Sequence, residues 1–210
     1  MTSQQWDDRY SGDELVWTST PNQFLVAEAV GLRPGRAVDL ACGEGRNSIW
    51  LAEQGWEVTG IDFSPVGLAK ATRFADLWGV KVTWTEAAIE DWVPPQDGFD
   101  LVAMLYLQLP QPARSRAISS AASAVAPGGT LVIVAHDLEN LTRGYGGPQD
   151  PDVLYRVSEV TEAAIDAGLT IGRAEQAVRM VDTDIGPREA LDTVVTAQRL
   201  PRERPLTLAR

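Results

Sequence analysis

The sequence predicts an α/β fold in which helices cover both faces of a mostly parallel sheet. Short hydrophobic runs alternate with helix-like segments through the first two thirds, a pattern typical of parallel strands buried on both faces. The last third instead shows a helix and two longer alternating segments, which predict a closing hairpin and an antiparallel strand. The sequence has no internal repeat, low-complexity segment or linker, so residues 1–210 are interpreted as a single domain.

Each predicted element rests on a hydrophobic run and on the residues that bound it. Ser64 and Pro65 provide an N-cap and a proline at the first helical position of the second helix. The sequence Pro127-Gly128-Gly129 predicts a turn before the fifth strand. The predicted strands are, in chain order, residues 36–41, 56–61, 80–85, 99–105, 130–135, 169–181 and 190–200. The predicted helices are residues 46–54, 64–79, 111–126 and 158–167.

The composition limits the classes of function that the chain can serve. With one cysteine, Cys42, an internal disulfide and a cysteine-based zinc cluster are excluded, which is consistent with a reducing cytoplasm. The net charge of −11 argues against binding to nucleic acid or to an anionic membrane, because such partners require clustered Lys and Arg. No run approaches the roughly 18 apolar residues of a membrane helix, and the polar N-terminus does not resemble a secretory signal. We therefore expect a cytoplasmic protein whose partner is a small molecule.

The stretch ACGEGRNS, residues 41–48, follows the first strand and opens the first helix. Gly43 and Gly45 permit a tight turn and the close approach of a ligand, while the helix start offers free N–H groups. Asp62 ends the second strand, where its carboxylate can accept both hydroxyls of an adenosine ribose. Nicotinamide dinucleotides and S-adenosylmethionine (SAM) are both bound by turns of this kind, so the spacing alone leaves both open.

Three features favour SAM over a nicotinamide dinucleotide. Asp39 lies two residues before Ala41, where its carboxylate can meet the ammonium of a methionine group. Asp39 and Glu44 would repel a pyrophosphate, and little basic charge compensates for them. The closing hairpin is the third feature, because dinucleotide-binding folds usually end in parallel strands.

Over nearly the whole chain, the sequence resembles the class I SAM-dependent methyltransferases. The resemblance is carried by residues 38–64 (VDLACGEGRNSIWLAEQGWEVTGIDFS), 99–110 (FDLVAMLYLQLP) and 126–137 (APGGTLVIVAHD). Within that family it resembles the compact small-molecule branch of tellurite-resistance and thiopurine-type enzymes, which begin with a W-x-x-R-Y-like segment. The resemblance implies a Rossmann-like sheet of seven strands with helices on both faces and an antiparallel last strand. It also implies that residues 1–31 cover the cofactor and the substrate.

The resemblance assigns the methionine end of SAM to the turn after the first strand, the ribose to Asp62 and the adenine to Phe63. Leu105 and Tyr106 would then lie beside the sulfonium. The full set of residues that it implies for the cofactor is Trp6, Arg9, Asp39, Ala41, Gly43, Gly45, Arg46, Asp62, Phe63, Ile89, Leu105 and Tyr106.

The chain departs from the family pattern at two positions. Ala41 occupies the place of the first glycine in the G-x-G-x-G run, which is a small change. Ala88 occupies the position where the family usually has an acid near the adenine amino group. Adenine recognition is therefore expected to rely on the Ile89 backbone N–H, with Glu86 as a replacement acid.

His136, the single histidine of the chain, follows the fifth strand at the edge where chemistry is expected. Imidazole titrates near neutral pH, so His136 is a candidate general base for a hydroxyl acceptor, oriented by Asp137 or Glu139. The alternative is a structural role, in which His136 caps the strand or bonds to the adjoining loop.

The glycine-rich stretch at residues 143–151 is long for a connection and predicts a binding loop. A surface loop that packs against a neighbouring subunit is an alternative of equal weight. The residues expected to contact an acceptor are Tyr106, Gln108, Tyr145, Gln149 and Asp150. A Mg²⁺ site is considered but not supported, because a solvated acidic face explains the same side chains better. The acids concerned are Asp137, Glu139, Asp150 and Asp152.

These observations predict transfer of a methyl group from SAM to a hydroxyl of a small acceptor, with His136 as the base. The segment around His136 also resembles the sugar 1-O-methyltransferase of methylmannose polysaccharide synthesis. That resemblance implies a methylated mannoside as acceptor and a homodimer with shared active-site loops. Three alternatives stay open: methylation of a soft atom, such as a thiol, tellurite or selenite; nicotinamide-dependent oxidoreduction; and a cofactor-binding module without catalysis.

Overall fold

A computed structural model describes residues 2–95 and 98–201. The strands within these residues are β1 (Arg36–Leu40), β2 (Glu57–Asp62), β3 (Val82–Glu86), β4 (Phe99–Leu105), β5 (Val125–His136), β6 (Thr170–Val181) and β7 (Arg188–Gln198). The helices are α1 (Ser3–Tyr10), α2 (Gln23–Ala29), α3 (Arg46–Glu53), α4 (Pro65–Trp78), α5 (Ala113–Ser123), α6 (Asn140–Arg143) and α7 (Val157–Asp166). A single 3₁₀ turn is described, at Pro151–Val153.

The strands form one sheet in the order β3-β2-β1-β4-β5-β7-β6. β1 pairs in parallel with β2 and β4, and parallel pairs also join β2 to β3 and β4 to β5. β7 lies between β5 and β6 and is antiparallel to both. The predicted Rossmann-like sheet with an antiparallel last strand is confirmed. Because the strand order reverses between β1 and β4, the carboxyl ends of these two strands border the crevice in which such sheets bind ligands.

Helices cover both faces of the sheet, because successive strand residues point to opposite faces and both sets are apolar. On one face, Ile118 of α5 and Val160 of α7 pack in a buried cluster with Met104 of β4. On the other face, Leu25 of α2 and Leu51 of α3 belong to a second buried cluster. The strands are therefore held from both sides, and their carboxyl ends form a fixed edge on which side chains can be placed.

β5 begins five residues earlier than the sequence predicts. Residues 127–129 lie inside the strand instead of forming a turn before it. Gly128 has a φ of +84°, and its N–H donates to the Arg199 carbonyl at 2.8 Å. The pairing of β4 with β5 shifts register between Phe99 and Leu101. The predicted turn is wrong because an irregular strand start with a glycine at positive φ accommodates the same residues.

The N-terminal segment contains two helices that the sequence analysis does not predict. α1 starts with a capping box, in which the side chains of Thr2 and Gln5 each accept a hydrogen bond from the backbone N–H of the other residue. α2 is capped by Asn22, whose Oδ1 accepts from the N–H groups of Phe24 and Leu25. Among the helices of the described residues, none has the length and apolar character needed to cross a membrane.

Candidate active site

The turn between β1 and α3, which we call the cofactor turn (residues 41–45), has a left-handed backbone at three of its five positions. Ala41, Gly43 and Gly45 have φ angles of +60°, +54° and +82°. Glycine adopts such angles at little steric cost, whereas the alanine carries a strain on the order of 1–2 kcal/mol. α3 begins at the next residue, Arg46. The cofactor turn therefore lies between the carboxyl end of a strand and the free N–H groups of a helix.

Both glycines of the cofactor turn face protein neighbours. A Cβ atom on Gly43 would lie 2.7 Å from the Tyr10 hydroxyl. A Cβ atom on Gly45 would lie 2.7 Å from the Trp84 ring and 2.8 Å from the Ala71 methyl group. These glycines are predicted from the sequence to permit the approach of a ligand, but packing alone is sufficient to require them. Their role toward a cofactor stays a prediction.

Asp39 is buried near the end of β1 with 1% of its surface exposed. Ser48 of α3 donates a hydrogen bond from Oγ to Asp39 Oδ2 at 2.7 Å. Burial raises the pKa of this carboxyl to about 6, although Ser48 and Arg46 favour its charged form. The carboxylate is therefore incompletely compensated, and a cationic group beside it would be stabilised.

Asp62 ties the end of β2 to the cofactor turn. Its Oδ2 accepts from the Gly43 N–H at 2.8 Å, and its Oδ1 accepts from the Ser64 N–H at 2.9 Å. Burial raises the pKa of Asp62, although these backbone donors act in the opposite direction. Two buried carboxylates at the ends of adjacent strands fit the ammonium and the ribose diol of SAM, and they would repel a pyrophosphate.

α1 lies against the same strand ends. Ser3 Oγ donates to the Phe63 carbonyl at 3.1 Å, and Ser64 Oγ donates to Asp7 Oδ1 at 2.5 Å. The buried ring of Tyr10, at the end of α1, lies beside the cofactor turn. The structure thus brings part of the predicted covering segment, residues 1–31, to the edge where a cofactor is expected.

Trp6 and Arg9, which the family resemblance implies for the cofactor, form a cluster with Trp17. The Arg9 Cζ atom lies 5.2 Å from the Trp6 ring centroid and 4.8 Å from the Trp17 ring centroid. Trp6 also stacks on Tyr10, with ring centroids 5.4 Å apart. The guanidinium is therefore stabilised by two indole faces. Contact of these residues with a cofactor stays a prediction.

The other predicted cofactor residues are buried to different depths. Arg46 is half-buried at the start of α3, and burial lowers the pKa of its guanidinium. Ile89 and Leu105 are buried, and Phe63 is half-buried. Glu86 is exposed at the end of β3, so its proposed use in place of the missing adenine-binding acid also stays a prediction.

A second cluster lies farther along the same edge, and we name it the His136 cluster (Tyr106, His136, Arg179 and Asp192). His136 and Asp192 are partners in the antiparallel register of β5 and β7. The His136 Nδ1 atom lies 3.4 Å from Asp192 Oδ1, and Asp192 is fully buried. This separation is within range of an ion pair but long for a hydrogen bond, and Nδ1 has no hydrogen-bond partner among the described residues.

Two further partners hold Asp192 in its charged form. The Tyr106 hydroxyl donates to Asp192 Oδ2 at 2.8 Å, and Arg179 Nε donates to the same oxygen at 2.7 Å. Burial raises the pKa of Asp192, but His136, Arg179 and Tyr106 outweigh it and lower the pKa below its usual value. Asp192 is therefore ionised at neutral pH despite its burial.

Tyr106 reaches the His136 cluster through a left-handed backbone. Its φ is +56° directly after β4, and its N–H donates to the Val134 carbonyl at 2.7 Å. Its ring centroid lies 4.7 Å from that of His136. Burial raises the pKa of the phenol above its usual range, so Tyr106 acts as a neutral hydrogen-bond donor. Backbone strain at a bulky residue is typical of functional sites. Gln108, two residues farther along the chain, is half-buried.

Asp137 or Glu139 is predicted from the sequence to orient His136, and this prediction is wrong. Asp137 Oδ2 accepts from Thr193 Oγ1 at 2.6 Å, while Glu139 forms an ion pair with Arg143. Neighbouring residues of a strand point to opposite faces, so the acid that follows the histidine is directed away from it. The carboxylate beside His136 comes instead from Asp192 of β7, and only the register of the sheet identifies it.

The loop after β5 carries the remaining residues predicted to contact an acceptor. Tyr145 is 45% exposed, Gln149 Nε2 donates to the Gly147 carbonyl at 3.3 Å, and Asp150 accepts from a backbone N–H of the 3₁₀ turn. Gly147 of the same loop is not predicted as a site residue. A Cβ atom there would lie 3.1 Å from Nδ1 of His136, so the backbone of this loop packs directly on the imidazole.

The acids considered for Mg²⁺ do not form a metal site. Within residues 2–95 and 98–201, no group of three or more His, Cys, Asp or Glu side chains is arranged to hold a metal ion. The structure therefore adds no support for a metal.

The chain is similar in sequence to known methyltransferases. Residues 37–129 match a family described as a methyltransferase domain. The chain is 30% identical over 192 residues to glycine N-methyltransferase of Rattus norvegicus, covering 81% of this chain and 64% of that enzyme. It is 31% identical over 135 residues to the ubiquinone biosynthesis O-methyltransferase of Xylella fastidiosa (strain 9a5c), covering 63% and 54%. The chain thus spans less than two thirds of the length of these curated relatives.

The solved structure of TehB from Haemophilus influenzae shares the fold, with a TM-score of 0.71 at 17% identity, over 94% of this chain and 66% of that one. At this identity the likeness concerns the fold alone. The matched residues and the sheet topology agree: residues 37–129 resemble a methyltransferase domain, and the chain has the fold of solved SAM-dependent methyltransferases.

Proposed function

We propose that the chain transfers a methyl group from SAM to a hydroxyl of a small neutral acceptor, with His136 as the general base. The observation that carries this proposal is the buried Asp192 carboxylate, 3.4 Å from His136 Nδ1 at the carboxyl edge of the sheet. A carboxylate beside that nitrogen favours the tautomer with its proton on Nδ1, which leaves Nε2 able to accept a proton. A base oriented by a fixed acid is the arrangement that activates a hydroxyl nucleophile.

The residues of the His136 cluster would handle a single proton. SAM, when bound, supplies a methyl group that its sulfonium already activates. The acceptor hydroxyl gives its proton to Nε2 of His136 as its oxygen becomes nucleophilic. Asp192 then stabilises the imidazolium, while Tyr106 and Arg179 keep the carboxylate ionised. The rest of the rate enhancement would come from alignment of the reacting groups.

The charge balance of the His136 cluster supports a neutral acceptor. Arg179 is paired with Asp192 at 2.7 Å, so its charge is already offset before any acceptor arrives. A sugar hydroxyl, as in a methylated mannoside, is the narrower form of the proposal. The polar side chains of Tyr145 and Gln149 in the adjoining loop support it.

A cytoplasmic location and a homodimer whose loops complete the acceptor site belong to the same proposal. The single cysteine supports the location, because a reducing compartment maintains a free thiol. For the homodimer, light scattering on the purified chain should give twice the mass of one chain.

Methylation of a soft atom, such as a thiol, tellurite or selenite, is the competing candidate. Soft nucleophiles need little help from a base, so this candidate function does not explain why a carboxylate lies beside His136. Nicotinamide-dependent oxidoreduction is the other candidate, and the two buried carboxylates beside the cofactor turn disfavour it. Calorimetry with S-adenosylhomocysteine (SAH), NADH and NADPH separates it from methyl transfer, because only SAH should bind.

A methyl-transfer screen tests the proposal. Purified chain, SAM and a panel of sugars, phenols, thiols, amines and carboxylates are incubated with and without Mg²⁺, and SAH formation is measured. We expect a hydroxyl compound to give the highest rate. For that compound, His136→Ala should lower turnover by about 10²–10⁴-fold while SAH affinity is unchanged. A thiol or oxyanion as the best acceptor, with turnover intact in His136→Ala, would contradict the proposal.

A further inference from the structure

Glu44 lies inside the cofactor turn and forms a buried ion pair with Lys70 of α4. Glu44 Oε1 and Lys70 Nζ are 2.8 Å apart, and each side chain is only 2% exposed. Buried ion pairs often contribute little net stability, because desolvation of both charges offsets their attraction. A pair at this depth, within the turn that faces the cofactor, therefore suggests a task other than stability.

The further hydrogen bonds of Glu44 and Lys70 are made to one segment, residues 11–20, which we call the strap. The Glu44 carboxylate accepts from the N–H of Val16 at 3.0 Å and from the N–H of Trp17 at 3.3 Å. The ammonium of the pair donates to the Glu14 carbonyl at 2.6 Å. The strap follows α1 and has no helix or strand of its own. Its backbone is thus bonded to both charges of the pair.

Few other contacts hold the strap in place. Every one of its residues is exposed or half-buried, so apolar packing contributes little to its position. Arg9 lies over the Trp17 ring at 4.8 Å, and Arg46 donates to Thr18 Oγ1 at 3.4 Å. Arg46 directly follows the cofactor turn, so the strap is bound by charged residues within the turn and next to it.

Opening the strap would not leave buried charges without partners. Water would hydrate Glu44 and Lys70 in place of the strap backbone, which offsets the hydrogen bonds lost. The closed and open positions are therefore close enough in free energy for a segment with little apolar burial to interchange between them.

We infer that Glu44 and Lys70 form a latch that holds the strap closed beside the cofactor turn, and that cofactor exchange requires this latch to release. Both are positioning residues, since they act on the strap. The inference depends on the cofactor of the family and is independent of the identity of the acceptor.

The dissociation rate of SAH tests the latch. The double variant Glu44→Gln, Lys70→Met removes both charges without leaving either one buried alone. Stopped-flow displacement of bound SAH, followed by tryptophan fluorescence, should show dissociation about tenfold faster, with a much smaller change in the association rate. We expect SAH to slow chymotryptic cleavage at Trp17 in the unmodified chain and to leave it unchanged in the double variant. Glu28→Gln is the control, because it breaks the Arg173–Glu28 pair between α2 and β6, and both readouts should stay as in the unmodified chain.

Val16→Pro provides a second variant if the double variant does not fold. It removes one strap N–H while both charges keep each other as partners, so SAH dissociation should again accelerate. Dissociation within twofold of the unmodified rate in every folded variant would overturn the latch alone. Failure of the unmodified chain to bind SAH would overturn the cofactor assignment and the latch together.

Discussion

The cofactor turn and the His136 cluster lie on the same edge of the sheet, but their charged side chains are held by partners at very different distances along the sequence. Near the turn, Asp39 and Asp62 bond to residues only 9 and 19 positions away in the sequence. In the His136 cluster, Tyr106 bonds to Asp192 across 86 positions. The residues predicted to bind the cofactor near this turn thus lie within a short contiguous stretch, whereas the His136 cluster exists only once the sheet has formed.

The two regions also differ in electrostatics. Burial raises the pKa of Asp39 to about 6, so this carboxylate lacks a full partner until a cation arrives. Burial acts on Asp192 as well, but Arg179 and the other partners lower its pKa below the usual value. The region near the cofactor turn therefore lacks a positive charge that a ligand would supply. In the His136 cluster, by contrast, the charges of the side chains balance one another. Four predictions test whether the residues near the cofactor turn act on cofactor binding while the residues of the His136 cluster act on the methyl-transfer step.

The largest effect is expected from Asp192→Asn. Without the carboxylate, His136 loses both the orientation and the charge that would stabilise its imidazolium. Turnover of the best hydroxyl acceptor should fall by about 10²–10³-fold, and SAH affinity measured by calorimetry should change less than about threefold. Asp137→Asn is the matched control, since Asp137 bonds to Thr193 and should leave turnover within a few fold. Parallel losses of turnover and SAH affinity in Asp192→Asn would show that the two regions are coupled.

The next effect concerns the stability of the cofactor turn. Gly45→Ala would place a methyl group 2.7 Å from the Trp84 ring, at a φ of +82°, so we expect a loss of about 2–4 kcal/mol in the free energy of unfolding. Urea denaturation measures it. Gly55→Ala provides the control, because its φ is +89° but its Cβ would meet no atom within 4 Å. That variant should lose only about 1 kcal/mol. Equal losses of stability in the two variants would mean that glycine is required at position 45 because of its backbone angle and not because of the Trp84 contact.

The third prediction concerns pH. Protonation of Asp39 below its pKa of about 6 removes the carboxylate that would meet the cofactor ammonium, so SAH affinity should rise from pH 5 to pH 7.5 by up to about tenfold. Asp39→Asn should make the affinity independent of pH in this range. The ligand-free protein holds this proton more tightly than the unfolded chain does, so the contribution of Asp39 to stability should decrease between about pH 4 and pH 6. An SAH affinity without pH dependence in the unmodified chain would contradict the role of Asp39.

The smallest effect is expected in the loop after β5. Tyr145→Phe removes one hydroxyl from a side chain that is 45% exposed. If that hydroxyl meets the acceptor, the acceptor KM should rise by about two- to tenfold, because a neutral hydrogen bond contributes little, and kcat should stay constant. An acceptor KM equal to that of the unmodified chain would mean that the Tyr145 hydroxyl does not bind the acceptor. The role of the loop would then be the packing of Gly147 on His136.

Contacts between residues that are close in the sequence could be predicted from it, whereas contacts between distant residues could not. The alternation of runs predicts the sheet, and Gly43, Gly45 and Asp62 mark the cofactor turn because their relation is local. Trp84, which makes Gly45 necessary, lies two strands away from β1 and follows no motif. Only its contact identifies it as a support for the turn.

Asp192 shows the limit of sequence reasoning more clearly. His136 is visible because it is a single histidine after an apolar strand, but the acid beside it depends on the antiparallel register of β5 and β7. A shift of two residues in that register would place Val194 next to His136 instead. Alternating hydrophobicity is the same on either side of such a shift, so the acids adjacent in the sequence are the natural and mistaken choice. Asp192 also lies outside residues 37–129, so the family match does not include it.

The solitary position of His136 makes the proposed base directly observable. One imidazole in the chain gives one pair of ring-proton resonances in an NMR spectrum, and their assignment needs no variant. The ring lies 4.7 Å from that of Tyr106, so the aromatic ring current would displace these resonances and make them sensitive to small movements of the pair. A single titration could therefore follow the protonation of the imidazole and its geometry together, in unmodified protein and before any acceptor is known.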